Sequence, residues 1–269
     1  MLLLPIVIQQ SLLQGMVHSY MKKILIAILV VLLLFISAKT ILAVKFDRQE
    51  AIQVTEAAPL KTRIVALLAK EAPSIPDSII LDVPLINQMD QPILYNGCEV
   101  TSLAMILNYH GVKVTKNELA EKIKTVPLNY SNGKKGNPNA GFVGDMAHGP
   151  GLGVYNGPVF ELAQKYVGVK AVNLTNHSFD DVLEKVGQGL PVWVITTSSF
   201  APVSVFQTWN TPQGQIKITF NEHSVAITGY DENYIYINNP YGEKNQKLNR
   251  ASFIKAWEQM GKQAIVIEK

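Results

Sequence analysis

The chain has 269 residues, of which 24 are Lys or Arg and 21 are Asp or Glu, giving a formal net charge of +3. Three of the basic residues (Lys22, Lys23, Lys39) and none of the acids fall within residues 1–44, so 21 of each sign remain and the body is neutral. Without a basic cluster the body does not read as a nucleic-acid binder, and 48% hydrophobic against 17% charged residues excludes disorder of the whole chain.

Every residue from Ile24 to Ile36 is apolar, with Lys22 and Lys23 on the amino side and a second apolar patch ending at Val44. The run fits the h-region of a signal peptide, and the whole stretch from Ile24 to Val44 is long enough to span a bilayer. Both forms place residues 45–269 outside the cytoplasm, because the Lys pair precedes the apolar run. No small-x-small pair is well placed for cleavage, which favours an uncleaved anchor. Met21-Lys22-Lys23 has the form of a complete n-region, so translation is expected to start at Met21. Residues 45–78 read as a connector and 79–269 as the functional domain.

Within that domain Ser78–Ile86 is strand-like, with Pro84 confining it to an edge or a strand end. From Cys98 the pattern turns helical: Val100, Leu103, Ala104 and Leu107 recur at i, i+3, i+4 and i+7, and Gly111 caps the end. His110 beside it reads as a capping group. Thr115 and Glu118 form a capping box for a second helix to about Lys124. Thr125–Gly157 is a long Gly-rich loop, expected to be functional or mobile. Helices follow at Pro158–Val167, Ser178–Val186 and Ala251–Met260. Strands are predicted at Val169–Leu174, Pro191–Thr197, Gln215–Phe220, His223–Tyr230, Tyr234–Asn238 and Ala264–Glu268. Helices first and antiparallel strands later predict an α+β domain, with amino-terminal helices packed on an antiparallel sheet.

A single cysteine excludes an internal disulfide and a thiolate zinc cage. Cys98 opens a helix, where free N–H groups and the dipole favour a thiolate. Glu99 opposes this, but successive helix residues diverge by about 100°, so it is expected to point away. A base and an orienting group come from the hairpin that follows His223. If its loop is Asp231-Glu232-Asn233, Tyr230 faces Tyr234 and Val225 faces Asn239. His223 and Asn239 are then same-face diagonal neighbours, roughly 7 to 8 Å apart. A two-residue loop would bring Asn238 to that face instead, so both asparagines remain open.

Val83-Pro-Leu-Ile-Asn-Gln88, Asn96-Gly-Cys-Glu-Val-Thr-Ser-Leu-Ala-Met105, Glu222-His-Ser-Val-Ala-Ile-Thr-Gly229 and Asn238-Asn-Pro-Tyr-Gly242 resemble one known family. It is that of the bacterial papain-like cysteine peptidases related to bacteriocin leader peptidases, the thirty-ninth numbered cysteine-peptidase family. The resemblance covers about residues 79–269 and implies a papain-like fold. It also implies Cys98 as nucleophile, His223 as general base and acid, Asn239 as orienting group, and Gln88, with Gln91 as fallback, in the oxyanion hole. Two residues depart from the family pattern: Glu99 stands where Gly is usual, and Asn239 where Asp is usual. With no P-loop motif or multi-span segment following, the chain reads as a free-standing exported member.

The expected function is thus an exported thiol hydrolase that cleaves peptide bonds through a Cys98 acyl-enzyme. The alternatives are an amidase or transpeptidase acting on cell-wall peptides, and a catalytically silent surface-binding module. Peptide or protein substrates and, through the amino-terminal segment, a membrane are the expected partners. No cofactor and no metal are expected, since Asp145 and His148 lack a third ligand at suitable spacing. Gly149-Pro-Gly151-Leu-Gly153 lacks the residues of a nucleotide loop. Gly151 and Gly153 read instead as backbone lining the substrate cleft, and Trp209, in a Pro-flanked loop, as a residue touching substrate.

Overall fold

The structure, a computed structural model, describes residues 75–269. The predicted leader, the proposed start at Met21 and the connector up to residue 74 lie outside the described residues. Among the described residues no helix is long and apolar enough to cross a membrane.

In chain order the elements are β1 (Ile79–Ile80), α1 (Cys98–Tyr109), α2 (Lys116–Lys122), β2 (Thr125–Val126), β3 (Phe142–Val143) and α3 (Asn156–Val167). After a 3-10 turn at Gly168–Lys170 come β4 (Ala171–Asn173), α4 (Phe179–Gly187), β5 (Val192–Thr197), β6 (Gln207–Thr211) and β7 (Gly214–Ile218). The chain continues with β8 (Glu222–Tyr230), β9 (Tyr234–Asn239), β10 (Glu243–Asn249), α5 (Arg250–Gln259) and β11 (Ala264–Ile267). The main sheet runs β10-β9-β8-β5-β11-β4, and β1 adds to the far end of β8 at Gly229 and Tyr230. Every pairing in this sheet is antiparallel. The architecture is the α+β arrangement expected.

Helix α1 is the centre of the core: Val100, Leu103, Ala104, Met105, Ile106 and Leu107 are all fully buried. A helix apolar on every side needs cover on every side. Strands β5 and β8 supply part of that cover, fastened to α1 by two polar bonds. Ser102 Oγ donates to the Ser224 carbonyl (3.0 Å) and the Trp193 indole to the Glu99 carbonyl (3.0 Å). The capping box of α2 forms as read, with Thr115 and Glu118 each bonding the other's backbone N–H.

Several predicted boundaries are corrected. The strand at Ser78–Ile86 shrinks to two residues, and the one at Val169–Leu174 to three behind the 3-10 turn. Strands β6 and β10 were not expected, because Gln207–Thr211 and Glu243–Asn249 carry mostly polar residues and offer little apolar alternation to read. The Thr125–Gly157 segment is ordered: β2 and β3 pair in parallel, and Gly144 bridges Gly151. Val143 and Leu152 of this segment bury Trp209 with Ile218 in a small second core.

The hairpin register also differs at its turn. Asp231 Oδ1 accepts the N–H groups of Asn233 (2.9 Å) and Tyr234 (2.8 Å), so Tyr230 pairs with Ile235 rather than Tyr234. A bulge between Ile227 and Gly229 takes up the extra residue. Beyond it Ala226 faces Asn238, as the three-residue loop required.

Candidate active site

Cys98 begins α1, and its backbone N–H has no acceptor among the described residues. Its side chain packs against β8, where the Ser224 backbone N–H faces the sulfur. His223 is the neighbour of Ser224 on that strand and is buried, with Tyr241 stacked on its ring (centroids 5.2 Å, planes 14°) and Phe200 on another side (6.0 Å).

The His223 Nε2–H donates to Asn239 Oδ1 at 3.0 Å. The direction of this bond follows from the asparagine's other partners. Its Oδ1 also accepts the Tyr241 backbone N–H (3.1 Å) and its Nδ2 donates to Gln246 Oε1 (2.9 Å), so the amide cannot be reversed without facing donor to donor. The hydrogen therefore sits on Nε2, and Nδ1 keeps its lone pair. Asn238 is turned elsewhere, donating to the Val83 carbonyl and accepting from the Asn245 N–H. Of the two asparagines left open by the sequence, Asn239 is the one on the histidine.

Three expectations are corrected. Glu99 does not point away: it is fully buried, its Oε2 accepts the Cys98 thiol hydrogen (3.4 Å) and its Oε1 accepts the Val154 N–H (2.6 Å). No hydrogen bond joins the thiol to the His223 ring among the described residues. Gln88 is buried, but its Nε2 donates to the Leu94 and Tyr95 carbonyls (3.1 and 3.0 Å), which takes up both amide hydrogens. It braces the loop that delivers Cys98 and offers no free donor to an oxyanion; Gln91, the fallback, is exposed on the same loop. Trp209 is buried in the second core at 7% exposure, so it does not line the cleft.

Of the two glycines, Gly151 contacts Phe142 and Asp145, whereas Gly153 adjoins the site. A Cβ on Gly153 would stand 2.5 Å from both Glu99 Oε1 and Glu222 Oε2. Cys98, Glu99 and Glu222 each bring one ligand-type atom within 4.8 Å of the others, the one such group among the described residues. Sequence reading missed Glu222 and the inward turn of Glu99. The available signal was an acid adjoining each of the two reactive residues.

Burial, and then the Glu99 and Glu222 carboxyls, push the Cys98 thiol well above its ordinary range, outweighing the Ser224 N–H that acts the other way. Burial lowers His223 to about 4 against the Asn239 bond that raises it, so the ring is neutral near pH 7. Burial raises Glu99 to about 7, and burial and then Glu99 raise Glu222. The resting site is therefore a thiol beside a neutral imidazole. The helix-terminus activation expected for Cys98 is outweighed. A cavity of about 680 Å³, lined by Asn139, Asn156, Ser204, Phe206 and Gln263, shares Tyr155 with this site, for the phenol is raised by burial and then by Glu222 and Glu99.

A cysteine at the start of a central helix, packed on a sheet strand that carries an asparagine-held histidine, is the arrangement of papain-like thiol hydrolases. The sequence model of the Peptidase_C39 like family matches residues 80–265, and the chain belongs to that family. It is 62% identical over 189 residues to the uncharacterized protein YvpB of Bacillus subtilis (strain 168), covering 70% of this chain and 76% of that one. It is also similar to the crystal structure of a candidate C39-like peptidase from Bacillus anthracis: 46% identity, TM-score 0.69, 72% of this chain and 98% of that one. A weaker likeness, to the cysteine protease xylellain of Xylella fastidiosa, has 15% identity and a TM-score of 0.39 over 73% and 87% of the two chains.

Proposed function

We propose that the chain is a cysteine peptidase in which Cys98 attacks a peptide carbonyl. The observation that carries this reading is the Nε2–Asn239 bond, which holds the imidazole with its Nδ1 lone pair available to a thiol. Rotation of the Cys98 side chain from Glu99 toward that nitrogen completes the pair; such bonds often tighten only with substrate present. The proton then passes from sulfur to Nδ1 and the thiolate adds to the carbonyl carbon. His223 returns the proton to the leaving amine, and water hydrolyses the acyl-enzyme by the same steps. The backbone N–H of Cys98 is a donor for the developing oxyanion, a contribution of roughly 3 to 4 kcal/mol.

Incubation of the full chain with unfolded protein tests the reading. Hydrolysis should vanish in Cys98→Ala and fall steeply in His223→Ala; persistence of hydrolysis in Cys98→Ala would refute it. We also place the domain outside the cytoplasm on the strength of Lys22, Lys23 and the apolar run after them. An alkaline phosphatase fusion after residue 75 should be active in intact cells, and an inactive fusion would overturn this placement.

A further inference from the structure

Peptide hydrolysis as described gives no task to Glu99 or Glu222. Each is the chain neighbour of one reactive residue, Glu99 following Cys98 on α1 and Glu222 preceding His223 on β8. Gly153, having no side chain, lets the two carboxyls approach: the site of its missing Cβ is 2.5 Å from an oxygen of each. One oxygen of each also lies within 4.8 Å of the sulfur. Neither acid forms an ion pair among the described residues. Glu99 uses both oxygens, one on the Val154 N–H and one on the thiol, while Glu222 Oε1 is sealed from solvent with no partner.

Two carboxylates this close, Glu99 fully buried and Glu222 half-buried, with no cation beside them among the described residues, cannot both stay ionised at little cost; one retains a proton. We infer that Glu99 and Glu222 share one proton, and that this proton decides whether Cys98 can become a thiolate. While it is present, a single negative charge faces the sulfur and the thiol can release its proton to His223. Once it is lost, two negative charges face the sulfur and hold Cys98 in its thiol form. No electron is exchanged; the step is a proton leaving the pair for water. Glu99, whose Oε2 touches the reacting sulfur, is then a catalytic residue, and Glu222 a positioning residue acting through it. The other titratable groups facing the pair are Tyr155, from the start of α3, Tyr241, after β9, and His223; the two phenols are raised and the imidazole is neutral, so none supplies a positive charge. The inference rests on the peptidase reading.

Because Cys98 is the only cysteine, its alkylation is a clean readout. The full chain is treated with iodoacetamide from pH 5 to 10 and followed by intact mass, in wild type, Glu99→Gln, Glu222→Gln and His223→Ala. Removing either charge should lower the alkylation midpoint by at least about one pH unit, which is about tenfold faster labelling at pH 7. Loosened packing would also lower the midpoint by exposing the thiol, so the shift counts only in a variant whose urea midpoint stays at or above the wild-type value. The variants' urea transitions establish that both are folded, and one folded variant suffices. Midpoints that stay put or rise in the folded variants overturn the inference. So does a wild-type midpoint that EDTA raises, since a cation would then have been neutralising the carboxylates. Labelling that His223→Ala leaves unchanged at every pH sinks the peptidase reading instead, whatever the two Gln variants do.

Discussion

The indole N–H of Trp193 donates to the backbone carbonyl of Glu99 across 3.0 Å, tying the first turn of α1 to the start of β5. Both residues are fully buried, so the bond fixes the Cys98 end of the helix against the sheet from within the core. Trp193→Phe keeps an aromatic ring and deletes the donor. It should lower the unfolding free energy by about 1 to 2 kcal/mol in urea titrations, with part of the loss from the smaller ring. An unchanged midpoint would show that the tie contributes nothing.

Asn239 permits a finer test of the imidazole. Asn239→Ala removes the acceptor that fixes the ring, and hydrolysis should drop on the order of 100-fold from misorientation. Asn239→Asp keeps that acceptor, and the Gln246 amide can turn to donate to the new oxygen. The added charge should raise His223 from about 4 by at least about one unit, read from the ring C–H shifts in proton NMR. An Asp variant with an unshifted histidine would mean that the ring does not face residue 239 in solution.

Gly153→Ala places a methyl group 2.5 Å from two carboxyl oxygens in a buried pocket. The positive φ of +151° at this residue adds backbone strain. The carboxyls must part, which pulls Glu99 from the Val154 N–H. A loss of about 1 to 3 kcal/mol in unfolding free energy is expected, and a stability equal to wild type would place Gly153 outside the pocket.

Stability should depend on pH through two opposed groups. Glu99, raised from 4.5 to about 7, contributes stability that is complete below about 4.5 and lost as pH rises through about 7. His223, lowered from 6.5 to about 4, contributes stability present above about 6.5 and lost as pH falls through about 4. Between those limits the two largely cancel. Glu99→Gln removes one side of the balance, so relative to wild type it should gain about 1 to 3 kcal/mol on going from pH 5 to pH 8. Equal differences at the two pH values would contradict a raised Glu99.

What the sequence conveyed follows from the range of its signals. The apolar repeat of α1 and the alternation of β8 are periodic, and they were enough to bring His223 and Asn239 to one face. The capping box of α2 announced itself through Thr115 with Glu118. Polar edge strands carry no such period, which hid β6 and β10. The carboxyl pair left one signal, an acid beside each reactive residue; what stayed hidden was Gly153, which a segment far from both in sequence brings against the two carboxyls. Trp209 was misplaced for the same cause, since Val143 and Leu152, which cover it, come from that segment too.

The bulge in β8 has a meaning for variation within the hairpin. Thr228 is the extra residue there, so the turn at Asp231 and the His223–Asn239 contact sit on opposite sides of a slip joint. A one-residue insertion or deletion in the turn need not pass through to the catalytic end, because the joint can be gained or lost to compensate. Related chains with shorter or longer turns are thus free to keep the same asparagine on the same imidazole nitrogen, and turn length alone is a poor guide to whether the site is intact.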